Sequence, residues 1–89
     1  MISAADRKQI IELGRQFGVK RILLFGSSAR EGTEARDIDL AVEGIPDALF
    51  FRFYGELLLR LSKPVDVLDL AKPSRFSSVI SKEGIPLYG

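Results

Sequence analysis

The chain has no cysteine and no histidine. The first absence excludes disulfides and thiolate metal sites. The second removes the commonest general base and the commonest transition-metal ligand. Any metal bound here is therefore held by oxygen, which points to a hard cation such as Mg²⁺. No apolar run approaches the length of a membrane span, and the opening MISAADRKQ lacks the apolar core of a signal peptide. The expectation is a soluble protein of the cytoplasm. An excess of charge is also missing: 13 basic residues face 12 acidic ones for a net charge of +1. Bulk attraction to nucleic acid or to a membrane surface has no support in that balance.

What remains is an ordinary globular composition, 46% hydrophobic and 28% charged over 89 residues. No repeat, low-complexity tract or linker divides it, so one domain over residues 1–89 is expected. Ser3 followed by Asp6 resembles a capping box. Ile10, Leu13, Gly14 and Phe17 then recur at helical spacing up to Gly18, which predicts a helix over 4–17. VKRILLFG reads as a buried strand, ended by Gly26-Ser27, where Ser27 can cap a short helix through Ala29 and Arg30. After a polar loop, residues 37–43 alternate. Ile38, Leu40 and Val42 fall on one face, and Asp37, Asp39 and Ala41 on the other.

Pro46 suits the first turn of a helix over 47–61. Arg52, Glu56 and Arg60 form one charged stripe on it. The apolar arc of that helix spans about 180–200° on a 3.6-residue wheel, wider than the roughly 100° one buried face requires. A partner surface or a helix enclosed within its own domain both satisfy this. Pro64 precedes a third strand, VDVLDL. Residues 74–83 fit a last helix carrying Phe76, Val79 and Ile80, and IPLYG adds a short final strand. The succession is an α/β (α+β) arrangement, helices layered on a small sheet.

Asp37 and Asp39 project to one face of a strand. Two ionised carboxylates so close repel, and each is costly to bury. Either that face is wet and they are surface aspartates, or a divalent cation bridges them. Gly26-Ser27 is a plain strand-to-helix turn or a phosphate cradle, with backbone N–H groups, a hydroxyl and Arg30 one turn on. Together the two features make complementary halves of a nucleoside-triphosphate site. A third carboxylate comes from Asp66 or Asp69. Asp66, enclosed by Val65 and Val67, calls for a functional reason more than Asp69 near the strand end, where a surface role or a cap is easier.

Gly26-Ser27, Ala29-Arg30, Asp37-Ile38-Asp39-Leu40 and Asp66 in a later strand resemble the nucleotidyltransferase superfamily related to DNA polymerase beta. Within it the pattern is similar to the minimal nucleotidyltransferases, small proteins paired with HEPN-domain partners, and KEGIPLYG is similar to how those chains finish. The resemblance implies a palm fold, a small mixed β-sheet with helices packed on it. It implies that Asp37, Asp39 and Asp66 bind Mg²⁺, with Asp66 completing the metal site or helping to deprotonate the attacking hydroxyl. It implies that Gly26, Ser27 and Arg30 hold the nucleotide, and that AMP passes from ATP to a hydroxyl, a tyrosine in the first instance, of a HEPN-type toxin that this chain neutralises. Two departures bear on nucleotide binding. Glu31 precedes Gly32 where the family has Gly directly after Arg, and Arg36 replaces the Ser before D-x-D. Helix 47–61 is also the surface through which a homo- or hetero-oligomer would form. Two other readings stay open: an antitoxin that masks its partner through helix 47–61 without turnover, and a nucleotide-binding module with no fixed partner.

Overall fold

The computed structural model describes residues 2–29, 36–72, 75 and 77–89, without the side chain of Ser27. The elements follow in the order α1 (Ala4–Phe17), β1 (Arg21–Phe25), a 3-10 turn (Gly26–Ala29), β2 (Ile38–Glu43), α2 (Asp47–Arg60), β3 (Val65–Asp69), α3 (Ser77–Glu83) and β4 (Ile85–Tyr88). The sheet runs β3-β2-β1-β4. β1 pairs antiparallel with β2 and with β4, and β2 pairs parallel with β3. Helices layered on a small sheet are what the sequence pattern predicts, and its mixed pairing is what the family resemblance implies.

Local signals set the helix ends. Ser3 is the N-cap of α1, and its hydroxyl accepts from the Asp6 N–H at 3.1 Å. Only half of the expected capping box forms. The Asp6 carboxylate turns away and accepts from the Ser62 N–H at 3.0 Å and the Ser62 hydroxyl at 2.5 Å. That buried side chain ties the start of α1 to the segment between α2 and β3. Gly18 ends α1 in the left-handed region, φ 69°, where a residue without Cβ meets no steric penalty. Pro46 stands at the N-cap of α2 rather than inside its first turn. Of the helix expected over 74–83, Ser74 and Phe76 lie outside the described residues, and α3 runs from Ser77.

The sheet has two unlike faces. Ile22 and Leu24 of β1, Ile38, Leu40 and Val42 of β2 and Val65 of β3 form the larger core with Ile10 and Leu13 of α1 and Phe53 and Leu57 of α2. Phe53 is fully buried and meets Phe17 edge to face, ring centroids 5.4 Å apart. On the opposite face Leu23, Ala41 and Ile80 make a smaller cluster beneath α3. Strand alternation puts Asp39, two residues before Ala41, on this thinly covered face. The wide apolar arc of α2 divides: Phe53 and Leu57 are buried, whereas Phe51 is 79% and Leu59 83% exposed. None of the helices among the described residues is long and apolar enough to cross a membrane.

Phe53→Ala is expected to lower unfolding free energy by about 3–5 kcal/mol, the range for emptying an aromatic core site. Phe51→Ala is expected to change it by no more than about 0.5 kcal/mol. Urea titration of the two variants checks both.

Candidate functional site

The site begins where β1 ends. Gly26 takes φ +66°, and a Cβ built there would stand 2.5 Å from Asp39 Oδ2. A glycine is needed on both counts, the left-handed backbone and the closeness of the carboxylate. The pairing of Phe25 with Asp39 across β1 and β2 creates that closeness. Ser28 then fixes it. Its fully buried hydroxyl donates to the Phe25 carbonyl at 2.7 Å and accepts from the Asp39 N–H at 3.1 Å. One side chain thus joins the turn, the end of β1 and the start of β2.

Parallel pairing of β2 with β3 sets Asp39 directly opposite Asp66, on strands about 4.8 Å apart. Asp37 lies one residue before β2, exposed, rather than within the strand. Partial burial, and then the negative charges of Asp66 and Asp37, push the Asp39 carboxyl above its ordinary value of 3.8. Asp66 and Asp37 are therefore both within electrostatic reach of Asp39. Among the described residues the three do not converge into a ready cation cage.

The two candidate third carboxylates differ in burial, in the reverse sense to their flanking residues. Asp66 is exposed because alternation puts it on the thinly covered face of β3, although valines enclose it in sequence. Asp69, expected in a surface or capping role, is only 7% exposed. Its carboxylate accepts from the Ala71 N–H at 2.9 Å and shapes the turn after β3. Asp66 is brought beside Asp39, and Asp69 belongs to the other face. Arg30 and the Ser27 side chain, both expected at the phosphate end, lie outside the described residues, as does loop 31–35. Arg36 is exposed.

Two contributors escape sequence reasoning. Ser28 carries no signal beyond its place in a Gly-Ser-Ser run, and alternation cannot say which serine turns inward. Tyr54 reads as one more apolar position of α2. Its hydroxyl instead donates to Asp66 Oδ1 at 3.3 Å. Burial, then the Asp66 carboxylate, hold that phenol above its ordinary value, and the backbone at Val67 acts the other way. Beside the Gly26 turn a cavity of about 530 Å³ lies between Phe25, Gly26 and Ala29 on one side and Val79, Ile80 and Glu83 on the other. Gly26, which borders it, is also the residue beside Asp39, and the cavity is sized for part of a small-molecule ligand. The oxygen-only donor set suits a hard divalent cation, which would offset the repulsion that Asp66 and Asp37 exert on Asp39.

Ser28→Ala would leave the Asp39 N–H and the Phe25 carbonyl without their shared partner, a loss of about 1–3 kcal/mol readable by denaturant titration. The raised Asp39 value has a definite sign. The folded state binds its proton more tightly than the unfolded chain does, so stability falls as pH rises from about the ordinary value through the folded one. In chelator-containing buffer Asp39→Asn should melt above the native chain at pH 7, with the gap closing as pH drops below the carboxylate range. An equal or lower melting temperature at pH 7 would contradict the repulsion.

Comparison with known proteins agrees with this geometry. Residues 8–89 match the family described as polymerase beta, nucleotidyltransferase. A toxin–antitoxin structure with AMP-PNP is similar at 27% identity and TM-score 0.73, over 93% of this chain and 73% of that one. The MntA–HepT toxin–antitoxin structure is similar at 25% identity and TM-score 0.70, over 98% and 73%. A tri-AMPylated Shewanella oneidensis HEPN toxin in complex with MNT antitoxin is similar at 27% identity and TM-score 0.68, over 94% and 70%. No curated protein matches the chain. With nearly its whole length matched, the chain belongs to the polymerase beta nucleotidyltransferase family.

Proposed function

We propose that this chain, acting as one domain over residues 1–89, is a Mg²⁺-dependent transferase. It moves AMP from ATP to a tyrosine hydroxyl of a HEPN-type toxin and so serves as its antitoxin. The observation that carries this reading is the alignment of Asp39 with Asp66 across β2 and β3, beside a left-handed Gly26. The similar complexes support it: one holds AMP-PNP and another a tri-AMPylated toxin. We place the reaction in the cytoplasm, where ATP is held.

Asp37, Asp39 and Asp66 would hold the cation. Its chemistry when bound is neutralisation of the phosphate charge that in-line displacement redistributes. The rest falls to the chain. The turn from Gly26 presents backbone N–H groups to the triphosphate, with Ser27 and Arg30 as further donors to it. Glycine at this position lets the phosphates approach Asp39 without a side chain in between. Asp66, on the exposed edge, is the carboxylate best placed to take the proton from an incoming hydroxyl. The oxygen of that hydroxyl bonds to the α-phosphorus, the bond to the β-phosphate oxygen breaks, and pyrophosphate leaves. Positioning and charge supply most of such catalysis, so the lack of histidine does not weigh against it.

A second reading has its own observation. Phe51, Leu58 and Leu59 leave an apolar stripe of α2 uncovered, with Phe51 and Leu59 four-fifths exposed. That stripe is a natural surface for masking a partner without turnover.

Intact-mass measurement of the chain with its co-purifying toxin, ATP and Mg²⁺ separates the two. Transfer gives the toxin one or more AMP units of mass, lost with chelator and reduced at least about 100-fold in rate by Asp39→Asn, the scale for removing one charge-stabilising group. A toxin that stays bound and neutralised but never gains mass would leave masking as the function.

A further inference from the structure

The hydroxyl of Tyr54 occupies a place that the transferase reading leaves unassigned. Across the sheet the order is the Gly26 turn at the end of β1, Asp39 on β2, Asp66 on β3, and the Tyr54 hydroxyl 3.3 Å from Asp66 Oδ1. β3 is an edge strand, so among the described residues no further strand covers that hydroxyl. Tyr54 belongs to α2, on the other face of the sheet, and reaches round this edge. Its ring is held by an edge-to-face contact with Phe50, centroids 6.2 Å apart.

In-line transfer needs the attacking oxygen and the leaving pyrophosphate on opposite sides of the α-phosphorus. A triphosphate held at the Gly26 turn puts its leaving end on the β1 side of Asp39. The attacking oxygen must then come from the β3 side, next to a carboxylate able to accept its proton. The Tyr54 hydroxyl stands there, already donating to Asp66, on a rigid helix. We infer that Tyr54 is itself an acceptor, and that this chain transfers AMP from ATP to its own Tyr54. The phenol oxygen bonds to the α-phosphorus, the α-phosphorus to bridging-oxygen bond breaks, pyrophosphate leaves, and the phenol proton passes to Asp66 and on to solvent. No oxidant or further reactant is required. The inference rests on the transferase reading above, and it implies that a partner's hydroxyl and Tyr54 compete for one position.

The chain has two tyrosines, which makes the test specific. Tyr88 lies on β4, at the opposite edge of the sheet, and serves as control. The full chain alone, with ATP and Mg²⁺, is expected to gain one AMP by intact mass, mapped to Tyr54 by peptide sequencing. The gain is expected to disappear in Tyr54→Phe, which keeps the ring, and to persist in Tyr88→Phe. A second measurement needs no variant: AMP-PNP with Mg²⁺ should shift the ring NMR resonances of Tyr54 and leave those of Tyr88 in place. An adduct on Tyr88 or on a serine overturns the proposal. So does absence of any adduct while the same preparation adds AMP to a HEPN-type toxin, an outcome that leaves the transferase reading intact. If neither chain gains mass, both readings fall.

Discussion

Carboxylates on neighbouring strands repel, and the fold around Asp39 and Asp66 is arranged about that repulsion. Parallel pairing of β2 and β3 imposes the proximity. It also forbids a short connection, because parallel strands must be joined by a crossover. α2 is that crossover, and its Phe53 and Leu57 are sealed into the larger core. The packing of the helix against the apolar face thus offsets the unfavourable electrostatics on the other face. The acidic pair stands on the side of the sheet where Ile80 of α3 packs on Leu23 and Ala41, and Asp66 there is exposed to water or a ligand.

The turn between β1 and β2 is the second constraint. Asp39 can be aimed only if the backbone on either side of it is fixed. Ser28 achieves this from the interior, with one hydroxyl bonded to both strands' backbones. Gly26 keeps the space in front of the carboxylate clear. The far end of the same strand pair is closed by a different device: Arg21 meets Glu43 at 2.8 Å with Lys20 alongside, and these cations hold the Glu43 carboxyl below its usual range. One end of the hairpin is neutralised by its own residues. The other brings Asp39 and Asp66 together across β2 and β3, and grouped acids are what a site for a cation requires.

Much of the architecture was legible because it rests on short-range rules. Ser3 and Gly18 bracket α1 through capping geometry that needs no tertiary partner. The alternation of Ile38, Leu40 and Val42 marks β2 and its two faces. The D-x-D pattern next to a Gly-Ser turn marks the candidate site. Asp66 and Asp69 were harder, since valines on either side of Asp66 suggest an enclosed position. Enclosure along the chain says nothing about a strand's place in the sheet. Asp66 falls on the thinly covered face of β3 and faces solvent, whereas Asp69 falls on the core face and folds the chain behind it.

The sequence by itself determined the local elements, the oxygen-only chemistry open to a chain without cysteine or histidine, and the presence of acids beside a glycine turn. The tertiary structure decided which acid meets which, that the inward serine is Ser28, that Asp6 binds Ser62 instead of closing its own capping box, and that the Tyr54 hydroxyl reaches Asp66. Each of these depends on partners 11 to 56 residues apart. Helical and strand periodicity are set within a few neighbouring residues. Contacts at such separation exist only once the core has chosen which strands lie side by side.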